Sequence, residues 1–217
     1  MSASFPGAPR TLRAGLVILG PGGTQVSRVI GLQYNPDALT RTFEVSAAGQ
    51  APAEALRLRA PPAETIRLEA ELDASDALER PDENPTVVAH GLLADLAALE
   101  GLLYPARAQV EANHARARRG ELEIVPMQAP LTLFVWSRQR ILPVRVTELS
   151  VNEEAFAPDL TPIRAKVTLS MRVLTDSELG AEHPGGRIFA THHRQKEALA
   201  ARGLPGWLSM LGLGGLP

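Results

Sequence analysis

The stretch TPIRAKVTLSMRV, residues 161–173, leaves few options for folding. Ile163, Ala165, Val167, Leu169, Met171 and Val173 share one side of a two-residue period. Arg164, Lys166, Thr168, Ser170 and Arg172 share the other. A helix would scatter those apolar groups around its circumference, whereas a strand gathers them on one face. The segment therefore reads as a strand with one buried and one polar face, the pattern of an antiparallel sheet.

The same period recurs at TIRLEAELD (65–73), where Ile66, Leu68, Ala70 and Leu72 oppose Arg67, Glu69 and Glu71. LRAGLVILG (12–20) and VSRVIGLQY (26–34) flank Pro21-Gly22-Gly23-Thr24, a hairpin signal. LTRTFEVSA (39–47), LTLFVWS (131–137) and LPVRVTELSVNEEAF (142–156) supply further strands. VVAHGLLADLAALEGLLYP (87–105) spaces Leu92, Leu96, Leu99 and Leu103 as an amphipathic helix over 87–104, stopped by Pro105. A polar, Arg-rich continuation through 106–119 reads as an exposed helix. Short connections favour antiparallel neighbours. The expected fold is mainly β with α: an antiparallel β-barrel or two-sheet sandwich with one packed amphipathic helix. Residues 1–175 form that domain, and 176–217 form a C-terminal extension with an apolar end.

Motifs for chemistry are scarce. The absence of cysteine excludes disulfides, a thiolate nucleophile and Cys-ligated metal centres. His90, His114, His183, His192 and His193 show no HExxH or comparable spacing, and adjacent histidines point in different directions. GPGGTQ (20–25) lacks the Lys-Ser/Thr of a phosphate loop and leads into a strand, not a helix. The pairs Asp73/Asp76 and Glu153/Glu154 sit in connections or on polar strand faces, and no G-x-S-x-G elbow occurs. No enzyme activity, cofactor or metal is expected. A net charge of −2 and a pI near 6.2 argue against a nucleic-acid binder, HARARRG (114–120) being the most basic run. No apolar run approaches the roughly 20 residues that span a bilayer. MSASFPGAPRTLRAG lacks the apolar core of a signal peptide, so assembly in the cytoplasm is expected.

LQYNPDALTRTF, IRLEAELDASD, the leucine helix, PLTLFVW and FAPDLTPIRAKVTLSMRV, in that order, resemble the tube-type baseplate, or tube-initiator, proteins of phage-tail-like contractile injection systems. The family's aromatic-Asn-Pro corner is matched by Tyr34-Asn35-Pro36. Its acidic strand end is matched by Leu68 to Asp73. Its Pro-Asp-x-Thr-Pro-x-Arg-Ala turn is matched by Pro158 to Ala165. The resemblance covers residues 12–175. It implies a tube-like barrel whose copies close into a ring, a hexamer, around a channel. The ring would sit at the tube–baseplate junction and link the inner tube protein to the spike hub, beside other baseplate components. The finished particle would be released or membrane-attached. Two departures stand out: the family's Trp-Gly turn reads Trp136-Ser137, and the residues from 176 are too few for the LysM module that members often carry.

Subunit-interface candidates are Tyr34, Asn35 and Pro36 of the corner, with Arg164, Lys166 and Arg172 of the polar strand face, which would line the channel. The plainer alternatives are a loop that fixes strand register and a face exposed to solvent. In RGLPGWLSMLGLGGLP (202–217), Trp207, Leu208, Met210 and Leu211 form an apolar cluster expected to dock on a neighbouring subunit, the hub or another baseplate protein. Folding back onto the barrel is its alternative. A small-molecule-binding β-barrel remains a competing class and requires an apolar interior cavity. A hydrolase with scattered catalytic groups has no constellation in its favour.

Overall fold

The strands are β1 (Gly15–Leu19), β2 (Val26–Gly31), β3 (Leu39–Glu44), β4 (Ala63–Asp73), β5 (Thr132–Ser137), β6 (Arg140–Phe156) and β7 (Pro162–Val173). They come from a computed structural model that describes residues 12–20, 22–45, 60–121, 129–203, 210 and 212. Every pairing is antiparallel, in one sheet of order β2-β1-β5-β6-β7-β4-β3. The protein is thus mainly antiparallel β with helices, as its alternating segments require.

The sheet is not flat. Five strand spacings separate β2 from β4, roughly 24 Å in a planar sheet. Yet Gln33, two residues past the end of β2, hydrogen-bonds the backbone of Asp73 at the end of β4. The sheet must curl until its two ends approach, as in a barrel. Among the described residues no ladder joins β2 to β3, so a seam remains between them.

Inward residues follow the pleat. Ile66, Leu68, Ala70 and Leu72 of β4 and Ala165, Val167, Leu169, Met171 and Val173 of β7 are buried in one core with Leu16, Leu32, Phe134, Leu142 and Val144. Along β6 the inward set starts at even positions, with Val144 and Val146 opposite Val173 and Met171. A bulge between Val146 and Glu148 then moves it to Leu149 and Val151, opposite Leu169 and Val167. One extra residue reverses the parity of a strand. Thr147 uses that bulge to donate from its hydroxyl to the Ser170 carbonyl at 3.1 Å.

The helices are α1 (Ser75–Leu78), α2 (Pro85–His90), α3 (Leu93–Glu100), α4 (Arg107–Arg118), α5 (Asp176–Leu179) and α6 (Pro184–Ala200). The single helix expected over 87–104 is therefore two. The break falls at Gly91, whose φ is +51°. The Leu92 N–H leaves the helical ladder there and donates to the Pro162 carbonyl at 2.9 Å, and a Cβ at Gly91 would collide with that oxygen. Leu92, Leu96 and Leu99 are buried beside β2 and β4, while Leu103 lies beyond the helix and is exposed. The Arg-rich helix α4 has no buried residue, as its composition requires. The C-terminal extension begins as structure: Thr175 and Glu178 form a capping box on α5, and α6 lies against β6 with Phe189 on the core.

Candidate assembly surface

The Gln-Tyr-Asn-Pro corner is tied down by its amides. Gln33 accepts from the Asp73 N–H at 2.8 Å and donates to the Asp73 carbonyl. Asn35 accepts from the Ala14 N–H at 2.9 Å and donates to the Leu12 carbonyl at 2.7 Å. Each side chain imitates a backbone rung, one on the end of β4 and one on the residues leading into β1. Of the three corner candidates, Asn35 has its amide engaged within the chain, while Tyr34 is exposed and Pro36 half-buried.

Arg164, Lys166 and Arg172 lie on the outer face of β7, and each is paired within the chain. Arg164 grips Asp73, its cross-strand neighbour, with Nη2–Oδ2 at 2.7 Å and Nε–Oδ2 at 2.9 Å. Lys166 meets Glu154 at 3.1 Å, and Arg172 meets Glu178 at 2.6 Å. Hydrogen bonds from Ser75, then the Arg164 guanidinium, hold the Asp73 carboxyl below its ordinary 3.8. Asp73 in turn raises Arg164, and Glu154 raises Lys166. Thr168 and Ser170 occupy the middle of the strip. The face is hydrophilic and locally balanced in charge, not a cationic stripe.

Three motifs distant in sequence meet here. The corner reaches Asp73 through Gln33; the acidic strand end is Asp73 itself; the Pro-Asp-x-Thr-Pro turn feeds Arg164 onto its carboxylate and offers the Ile163 carbonyl to the Ala74 N–H at 2.8 Å. Beyond them projects the β6–β7 tip. Ala157 donates to the Thr161 carbonyl at 2.8 Å, and Asp159 accepts from the Thr161 N–H at 3.1 Å. Leu160 closes the turn with φ +67° and is 78% exposed. A left-handed backbone at such a residue costs about 1–2 kcal/mol. Phe156 is exposed beside it.

At the opposite end of β6, α6 covers the β5–β6 turn. His192 is buried there, with Nδ1 3.2 Å from the Gln139 carbonyl oxygen and Nε2 without a partner among the described residues. Burial holds its pKa below 6.5, and Lys196 and Arg41 add to that effect. Arg41 meets the buried Glu64 at 2.6 Å, and Arg41 and Lys196 stand 4.9 and 5.3 Å from the Phe43 ring centre. His193, next in sequence, is exposed and stacks on Phe189. The cluster of Arg41, Phe43, Glu64, His192 and Lys196 was not legible in the sequence. It joins β3, β4 and α6, and only Glu64, a carboxylate on the inward face of β4, hinted at it.

Inside the curl a cavity of about 240 Å³ lies among Ile30, Leu32, Leu68, Leu72, Leu92 and Leu99. Among the described residues no group of three His, Asp or Glu side chains could hold a metal ion. No described helix is long and apolar enough to cross a membrane. Met210 is exposed; Trp207, Leu208 and Leu211 lie outside the described residues.

What these features define is a class of architecture: a curled antiparallel sheet with helices packed on it. No family model and no curated protein matches the chain. A solved structure it is similar to is the tail of an empty GTA particle computed with helical refinement in C6 symmetry, at 11% identity and a TM-score of 0.32. The likeness covers 74% of this chain and 90% of that one. A likeness at that level carries no functional argument.

Proposed function

We propose that the chain is a non-enzymatic assembly subunit of a phage-tail-like contractile injection particle. In this reading it forms a hexameric ring at the tube–baseplate junction and joins the inner tube to the spike hub. The observation that supports it is the meeting of the Asn-Pro corner, the acidic strand end and the Pro-Asp-x-Thr-Pro turn around Asp73. The three short motifs on which the resemblance rests act as one structural unit. Ring closure uses the ends of the sheet: β2 offers an open edge with exposed Val26 and Val29, and β3 offers another with exposed Thr42 and Phe43. Unpaired edges of this kind add strands from a neighbouring copy, and a head-to-tail contact that closes makes a ring. The balanced outer face of β7 then lines the channel.

Native mass spectrometry and negative-stain microscopy of the full chain test this. Sixfold rings, lost on Val29→Lys at the β2 edge, are the expected result. A strictly monomeric protein with no affinity for tube or spike components refutes it. The interior cavity favours a second reading, a barrel that binds a small apolar molecule. Its volume falls below the roughly 300–1,000 Å³ of ordinary ligand pockets, and ligand-dependent thermal stabilisation of a monomer is what that reading requires.

A further inference from the structure

The two ends of β6 differ in charge and in shape. Sixteen residue steps separate Arg140 from Phe156, up to about 50 Å along an extended strand. At one end the turn Ser137-Arg138-Gln139-Arg140 and α6 frame a groove of about 460 Å³. Leu133, Ile141 and Ile188 contribute its apolar lining, with Arg138 and Arg187 beside them. No carboxylate lines it, and neither arginine makes an ion pair among the described residues. The acids of α5 do not line it, and Glu178 already holds Arg172. At the other end the tip presents Glu153, Glu154 and Asp159 around two exposed apolar side chains, Phe156 and Leu160. Lys166, paired with Glu154, offsets part of that charge, and Arg164, whose main partner is Asp73, also feels Glu154.

Leu160 is the informative residue. It holds the left-handed backbone that glycine or asparagine adopts at lower cost, and its side chain touches solvent over most of its surface. Within the monomer, the leucine side chain does not account for the strain it brings. A basic apolar groove at one pole and an acidic apolar tip at the other are complementary to each other, not to themselves. Such a pair joins copies head to tail.

We propose that the β6–β7 tip of one copy seats in the groove between α6 and the β5–β6 turn of a second copy. Leu160 and Phe156 enter the apolar lining, while Glu153 and Glu154 face Arg138 and Arg187. Copies then stack along the β6 axis, roughly at right angles to the edge-to-edge contact that closes a ring. The inference rests on reading the chain as an assembly subunit but not on ring closure.

Sedimentation velocity of the full chain at low and high salt tests it, using two charge-reversed variants. Arg138→Glu/Arg187→Glu alters the groove; Glu153→Lys/Glu154→Lys alters the tip and spares Asp159, which holds the turn. Each variant alone is expected to lose stacking by at least tenfold, and an equimolar mixture should recover it, because each reversed end then finds a matching one. Leu160→Asn, which keeps the turn, should weaken stacking comparably. Stacking that is indifferent to all three variants overturns the proposal, as does a chain that never stacks. Groove-dependent capture of a different acidic protein without self-association overturns the assignment to a second copy. Rings that form but do not stack refute this inference alone. Stacks that survive Val29→Lys while rings disappear separate it from the ring reading.

Discussion

Replacing Gln33 by alanine removes both rungs between the end of β2 and the end of β4. The two hydrogen bonds, to the Asp73 N–H and carbonyl, cross the point where the curled sheet closes on itself. A typical bond contributes about 1 kcal/mol net, and a backbone group left partly buried without a partner adds to the loss. The expected destabilisation is therefore about 2–3 kcal/mol. For a chain of this length that lowers the melting temperature by roughly 4–12 °C, at about 2–4 °C per kcal/mol. Urea unfolding followed by far-UV circular dichroism measures it, with the slope checked for constancy between variants. Gln33→Glu is the companion. It keeps an acceptor for the Asp73 N–H but has no proton for the carbonyl, and it should be no more stable than the alanine variant. A loss below about 0.5 kcal/mol for Gln33→Ala at unchanged slope refutes the idea that this amide clasps the sheet.

Gly91→Ala should destabilise by more than 2 kcal/mol, since its positive φ and the nearby Pro162 oxygen both exclude a Cβ; thermal melts read this directly. Leu160→Asn should leave the monomer as stable or more stable, by up to about 1 kcal/mol, through relief of left-handed strain; a clear loss would show that the leucine packs within its own chain. The folded pKa of His192 lies below its ordinary 6.5, so the unfolded chain takes up a proton first on acidification. The corresponding stability is present above pH 6.5 and lost as pH falls through the folded value. His192→Gln should flatten that part of the stability–pH curve, and an NMR titration giving a native pKa of 6.5 or above would refute it.

Periodicity carried the strands because β4 and β7 bury one face each and leave the other wet. It misjudged the helix, because leucine spacing reports which face is buried but not where the backbone turns. Gly91 breaks the helix for a partner, the Pro162 carbonyl, that lies 71 positions away in sequence. The outer cations were found, yet their pairing with Asp73, Glu154 and Glu178 depends on strand register and on a helix cap that no local window contains. Asn35 read as part of a corner; its role as a backbone mimic appears only once residues 12–14 lie beside it. The extension from 176 read as a tail because α6 is largely polar, and its docking depends on Phe189 and His192 meeting the sheet.

The β6–β7 ladder runs from Val144–Val173 to Phe156–Pro162. Its rungs lie across the strand axis, so tension along that axis loads them in parallel, as shear, instead of peeling them one by one. β4 braces β7 from the other side over nine residue pairs, Thr65–Arg172 to Asp73–Arg164. The result is a stiff three-stranded beam. Pulled or pushed lengthwise, the strands of this beam should hold while the turns and helices at its ends give way first.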